Sequence, residues 1–156
     1  MKYRKLGRTG FEVSEMAHGL WGMSGWSGSS DKESLAALQL AVDLGCNFFD
    51  TAWAYGEGNS DGLLGETMAR NAPKRLYAAS KIPPGNDRWP ALPEYKYSDV
   101  FSPQHVFKYA DLIRKKLRVD AIDVLQFHVW DDSWTGEPEF RATVEKLKRD
   151  GWIRYF

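Results

Sequence analysis

Apolar runs separated by stretches with apolar residues at helical spacing predict an α/β chain, a parallel sheet with helices packed outside it. Three observations carry that expectation. The candidate strands are continuously apolar instead of alternating, as strands buried on both faces are. A helical pattern falls between each pair of them. The composition, 43% apolar and 27% charged over 156 residues, suits one globular domain covering 1–156. Two architectures fit, a doubly wound open sheet and a (β/α)8 barrel. No G-x-G-x-x-G follows the first strand, which weighs against the dinucleotide-binding open sheet.

In chain order, the turn signal Gly7–Arg8–Thr9–Gly10 joins two short strands over 3–6 and 11–13 into an N-terminal β-hairpin. A first buried strand over 16–20 runs into the Gly/Ser-rich loop 21–30. Asp31 offers an N-cap to a helix carrying Leu35, Leu38 and Val42, which stops at Gly45. CNFFD, 46–50, is a short apolar strand. Ser60 caps a helix that presents Leu63, Leu64 and Met68 and ends before Pro73. RLYAASK, 75–81, is the next strand. Ser102–Pro103 is a cap followed by proline at the first helical position, opening a helix through Val106, Ala110, Ile113 and Leu117. IDVLQFH, 122–128, is a further strand. Pro138 opens a helix with Phe140, Val144 and Leu147 on one face, and 152–156 starts a fifth strand. A complete (β/α)8 barrel takes about 250 residues, so the expected architecture is a barrel truncated to about its first half.

Twenty-one basic residues balance twenty-one acidic ones, so no nucleic-acid or anionic-membrane partner is indicated. Cys46 is the only cysteine, which excludes an internal disulfide and a cysteine-based zinc site. No His/Asp/Glu cluster has metal spacing. MKYRKLGRTG is not followed by an apolar segment of signal-peptide type, and no apolar run approaches the roughly 20 residues of a membrane span. A cytoplasmic location is the expectation.

Three strands end in an ionisable residue: FFD at Asp50, AASK at Lys81 and LQFH at His128. Catalytic groups of parallel barrels collect at the C-terminal ends of different strands, so these side chains are expected to converge. Tyr55 follows in the loop TAWAYGEG. A phenol ordinarily holds its proton to a pH of about 10, and a Lys81 cation beside it favours the phenolate. Asp50 would hold Lys81 charged and oriented, while His128 donates to a carbonyl oxygen. Those roles describe acid catalysis of carbonyl reduction, with the hydride supplied by a cofactor.

FFDTAWAYGEGNSDGLLGE resembles the aldo-keto reductase pattern of an Asp-Thr-Ala strand end, then Tyr-Gly, Ser/Ala-Glu and Leu-Gly. The SKI around Lys81 and IDVLQFHVW around His128 are similar to the family's third and fourth strands. LGRTGFEVSEMAHGLWGMS resembles its opening segment and DGWIRYF its approach to the fifth strand. The resemblance implies a TIM-type barrel and a catalytic set of Asp50, Tyr55, Lys81 and His128, with Tyr55 the proton donor. It implies NADPH, or less often NADH, as cofactor, with Leu20, Trp21 and Asp50 at the nicotinamide. Ala17, Leu20 and Asp61 depart from the commoner glycine, threonine or cysteine, and glutamate. The Gly-Val-Ser-Asn segment and the phosphate-binding segments of the family lie beyond Phe156, so a chain of these residues alone is expected to bind cofactor weakly or not at all.

Every tryptophan but Trp152 lies at or beyond a strand's C-terminal end. The expected substrate is a small carbonyl compound in a pocket of Trp21, Trp53, Tyr55, Trp89, His128 and Trp130, with loop 82–101 as a candidate lid. His18 is expected as a satisfied strand histidine and His105 as a solvated one. Two other readings stand beside the reductase: a Schiff-base aldolase using Lys81, and an inactive or regulatory version of the fold. A real half-barrel would expose strand edges and self-associate.

Overall fold

A computed structural model describes residues 1–26 and 28–156; Ser27, in the expected loop 21–30, lies outside the described residues. The chain opens with an antiparallel hairpin, β1 (Tyr3–Lys5) and β2 (Glu12–Ser14), whose register pairs Tyr3 with Ser14 and Lys5 with Glu12. Phe11 stacks on Tyr77 at 4.6 Å and meets Tyr155 edge-on at 5.1 Å. The Tyr155 hydroxyl donates to Thr9 O, so the hairpin closes over the N-terminal end of the sheet.

That sheet is parallel and strictly sequential: β3 (His18–Gly19), β4 (Phe48–Asp50), β5 (Tyr77–Ile82), β6 (Ile122–Phe127) and β7 (Ile153–Tyr155) lie side by side in chain order. Helix α1 (Asp31–Asp43) joins β3 to β4, α2 (Asn59–Arg70) joins β4 to β5, and α4 (Pro103–Leu117) joins β5 to β6. A single turn, α3 (Tyr97–Val100), interrupts the β5–α4 connection, and α5 (Pro138–Arg149) leads into β7. The helices pack against one another in that same order. A strand order that never reverses, with one layer of helices, is the barrel arrangement; a doubly wound sheet reverses order and carries helices on both faces.

Local chemistry explains the boundaries. Ser30, not Asp31, caps α1: its side chain accepts from Glu33 N while the Glu33 carboxylate returns to Ser30 N, a reciprocal box that stabilises a helix start by about 1 kcal/mol. Ser60 does not cap α2. Gly58 does, with φ of 81°, and Ser60 sits inside the first turn with its hydroxyl turned to Thr51. Ser102 and Pro103 start α4 as expected, the Ser102 hydroxyl accepting from His105 N. The first strand shrinks from the expected 16–20 to His18–Gly19, because only those residues pair with β4. Arg75 falls outside β5; with Arg154 it pairs with the buried Asp123 carboxylate, which also accepts from Ala78 N.

The apolar core lies between sheet and helices, with Leu38, Val42, Phe49, Leu64, Ile82 and Ile113 fully buried. Burying each such side chain contributes roughly 1.5–3 kcal/mol. Helices α2 and α4 approach closely at Gly65, where a Cβ would stand 2.8 Å from Leu117 C. Among the described residues no helix is long and apolar enough to cross a membrane.

Candidate active site

Strand register sets the site. Gly19, Asp50, Ala79, Val124 and Tyr155 are neighbours in one row across all five parallel strands. Side chains alternate faces along a strand, so Lys81, two residues beyond Ala79, shares the Asp50 face. The backbone continues the stitching past the strand ends: Leu20 N donates to Asp50 O, Trp53 N to Lys81 O and His128 N to Ile82 O.

The Lys81 ammonium donates to Asp50 Oδ1 at 2.5 Å and to Thr51 O at 2.8 Å. Its nitrogen also lies 5.3 Å from the centre of the Tyr55 ring. Tyr55 in turn meets the His128 imidazole edge-on, centroids 5.6 Å apart. Asp50, Lys81, Tyr55 and His128 thus come together from three strand ends and one loop. Burial and the Lys81 cation push the His128 imidazole down to about 4, with Asp50 opposing. The ring is therefore neutral near pH 7 and offers a single N–H. Its Nδ1 is buried without a partner among the described residues.

The aromatic surround divides. Trp89, from loop 83–96, stands edge-on to His128 at 4.5 Å. Trp26 lies 6.4 Å from Tyr55, and Trp21, 62% exposed, lies 5.7 Å from Trp26. Trp130 belongs to a neighbouring cluster with Phe127, Trp134 and Phe140, its indole N–H donating to Asp132.

Several expectations need correction. The Leu20 side chain has no exposed surface and packs in the core, leaving none for a nicotinamide ring. Trp53 turns to the helix layer, where it packs over Gly58 and edge-on to Tyr109 of α4 at 5.5 Å. Trp134, which also lies beyond a strand's C-terminal end, is 2% exposed and donates to Tyr95 O, anchoring the long loop from below. His105 is not solvated: its Nε2 donates to Pro83 O at 2.7 Å and its ring packs on Tyr109. His18 lies against Phe49 with Nδ1 buried and without a partner among the described residues.

A buried polar layer behind the site escaped the sequence reading. Thr51, Ser60, Asp61 and Ser80 are all fully buried. Thr51 and Ser60 share a hydroxyl hydrogen bond of 2.6 Å, and the Ser80 hydroxyl donates to Asp61 Oδ1 at 2.7 Å. Ser80 inside the otherwise apolar AAS of β5 was the available signal.

The comparisons with known proteins bear on the family and the fold. The sequence model of the Aldo/keto reductase family matches residues 15–156. The chain is 28% identical to aldo-keto reductase YhdN of Bacillus subtilis (strain 168), over 99% of this chain and 45% of that protein. It is 29% identical to a probable voltage-gated potassium channel subunit beta of Arabidopsis thaliana, over 100% of this chain and 45% of that protein. A crystal structure of the thermostable aldo-keto reductase Tm1743 with the inhibitor epalrestat superposes with a TM-score of 0.78 at 27% identity, covering 99% of this chain and 52% of that one. The chain spans about half the length of the curated relatives it matches. With the family's sequence model running from the end of the hairpin to Phe156, and the strand order that of its solved barrels, the chain belongs to the aldo/keto reductase family.

Proposed function

We propose that these residues supply the proton-handling side of carbonyl reduction, an aldehyde or ketone going to an alcohol with Tyr55 as proton donor. The observation that carries the reading is the Asp50–Lys81–Tyr55 arrangement, an ammonium 2.5 Å from a carboxylate and 5.3 Å from a phenol ring. As Tyr55 gives its proton to the substrate oxygen, the Lys81 cation offsets the charge left on the phenolate. Asp50 and the Thr51 carbonyl keep that cation fixed, so little reorganisation accompanies the transfer. His128, neutral, directs one N–H at the same oxygen and sets which face of the carbonyl meets Tyr55.

The donor set fits a nicotinamide cofactor, because all four groups hold or move protons and none can deliver a hydride. Space for a flat ring exists over Gly19, where a Cβ would meet nothing within 4 Å, and Trp21 and Asp50 flank it. Trp21 and Asp50 would hold the nicotinamide of NADPH, or NADH, which would supply the hydride. The exposed indoles of Trp21, Trp26 and Trp89 suit an apolar, aromatic or sugar-like carbonyl compound. Cytoplasmic residence accords with this chemistry.

The likeness to a protein described as a probable potassium channel β subunit supports a second reading, a regulatory subunit that retains the fold. The assembled proton-transfer groups favour the reductase. Titrating NADPH against tryptophan fluorescence, then following its oxidation with an aromatic aldehyde, separates the two. Quenching with turnover supports the reductase, quenching without turnover supports the regulatory reading, and no quenching at high micromolar cofactor overturns a cofactor site formed by these residues alone.

A further inference from the structure

Three consecutive residues at the start of α2 each hold a different segment of the site. The Asn59 amide donates to Met23 O, and Asp61 accepts from the Ser80 hydroxyl of β5. Ser60, between them, reaches both members of the ammonium–phenol pair. Its hydroxyl lies 2.6 Å from that of Thr51, whose carbonyl accepts from Lys81 at 2.8 Å. The same hydroxyl lies 3.5 Å from Ala52 O, which accepts from Tyr55 N, and Ser60 N donates to Tyr55 O at 3.3 Å. One fully buried residue thus touches the acceptor of the ammonium and both sides of the tyrosine backbone. Helix formation does not call for this hydroxyl. Gly58 caps α2, and an alanine in the first turn would favour the helix without burying a polar group. Alanine here with valine in place of Thr51 would replace both hydroxyls by apolar groups of like shape, a change that is nearly neutral for stability.

We propose that Ser60 is a positioning residue for the Lys81–Tyr55 pair: through Thr51 and Ala52 its hydroxyl fixes the carbonyl that holds the ammonium relative to the turn that carries the phenol. The inference rests on the reading of Lys81 as the cation that serves Tyr55. The ammonium, 5.3 Å from the centre of the Tyr55 ring, has two anchors, Asp50 Oδ1 and Thr51 O. Asp50 alone would leave Nζ free to swing about the carboxylate, and the Thr51 carbonyl is the second point that fixes its direction. Thr51 N donates to Ala79 O, which holds that residue to β5 on its N-terminal side. The bond between the Thr51 and Ser60 hydroxyls holds it from the helix side.

Proton–nitrogen spectra of the lysine ammonium groups in labelled chain read this anchorage directly, with the Lys81 signal assigned by its loss in Lys81→Arg. In the wild type the Lys81 ammonium protons should exchange with water more slowly than those of exposed lysines. A nuclear Overhauser contact should join the Lys81 side chain to the Tyr55 ring. The double variant Thr51→Val/Ser60→Ala should keep its thermal stability close to the wild type while Lys81 exchange quickens about tenfold, the scale of one hydrogen bond lost, and the contact to Tyr55 weakens. Each single variant should affect Lys81 alike, and Thr51→Ser, which keeps the hydroxyl, should behave as the wild type. Thr67→Ala removes another buried hydroxyl of α2, one that donates to Leu63 O, and should lower stability without moving the Lys81 signal. Unchanged Lys81 exchange and Tyr55 contact in the double variant overturn the proposal. So does an equal loss in Thr51→Ser or Thr67→Ala, or a wild-type ammonium that exchanges as fast as exposed lysines. Should Ser60→Ala fail to fold, Thr51→Val set against Thr51→Ser decides. The readout needs neither cofactor nor turnover. An anchored Lys81 without reductase activity removes the functional reading of the chain alone, and activity with a Lys81 indifferent to these substitutions removes this inference alone.

Discussion

The indole of Trp89 and the imidazole of His128 meet edge-on, centroids 4.5 Å apart and planes at 89°, although Trp89 itself is 49% exposed. One face of the tryptophan's loop is thus committed to shielding the histidine, and shielding holds the imidazole down to about 4. Trp89→Ala should let the His128 midpoint climb toward the ordinary histidine value of about 6.5. With three histidines in the chain, the ring Cε1–H signals can be resolved by proton NMR. An unmoved His128 midpoint would show that Trp89 is not what desolvates it.

The proton-transfer roles predict a pattern in kinetics. Tyr55→Phe and Lys81→Met should each lower turnover by about 10²–10⁴-fold, the range for loss of a positioned acid or the charge that supports it. Neither should weaken NADPH quenching of tryptophan fluorescence by more than about threefold, because neither is placed to hold the cofactor's remote portions. Equal loss of binding and turnover in Tyr55→Phe would contradict its assignment as proton donor.

The buried Asp61 and the half-buried His128 drive stability in opposite directions over one pH interval. His128 holds its proton only below about 4 when folded, against 6.5 as its ordinary value, so between those limits the unfolded chain binds more protons and acid destabilises. Asp61 holds its proton up to about 6 when folded, against 3.8 ordinarily, so there the folded chain binds more and acid stabilises. The Asp61 effect is on the order of 3 kcal/mol, and that of the half-buried His128, screened by solvent, is smaller and of opposite sign. Relative to the wild type, Asp61→Asn should lose stability more steeply as pH falls from 6.5 to 4, and His128→Gln should lose it less. Urea unfolding at several pH values reads both signs.

Two glycines one turn apart on α2 should respond oppositely to alanine. A Cβ at Gly65 would meet the backbone of Lys116 and Leu117, so Gly65→Ala must push α4 away, at a cost of about 2 kcal/mol or more. At Gly62 the nearest atom is Lys116 Cδ at 3.8 Å, ordinary contact with a flexible side chain. Gly62→Ala should stabilise by roughly 0.5–1 kcal/mol through helix propensity. Chemical denaturation of the two variants distinguishes a close helix crossing from a merely flexible helix.

Much of this was legible before any coordinates. Asp50, Lys81 and His128 each close an apolar run, and parallel strands deliver such termini to one end of the sheet. Ser102–Pro103 marks the start of α4 because the cap and the fixed proline φ are properties of adjacent residues. Trp53 and Leu20 were not legible in the same way. A residue just past a strand can turn to the mouth or to the helix layer, and the choice at Trp53 was made by Gly58 and Tyr109, the latter 56 positions away.

The sequence by itself determined the strand–helix alternation, the starts of α4 and α5 at Pro103 and Pro138, and the family-like set of Asp50, Tyr55, Lys81 and His128, because periodicity, the fixed proline φ and motif spacing are local. Only the tertiary structure decided that Ser60 and Asp61 lie beneath that set, that Trp89 shields His128 and that Leu20 and Trp53 are withdrawn from it. Those outcomes depend on burial and on distances between segments far apart in the chain, and a buried carboxylate or imidazole acquires its character from the neighbours that exclude water around it.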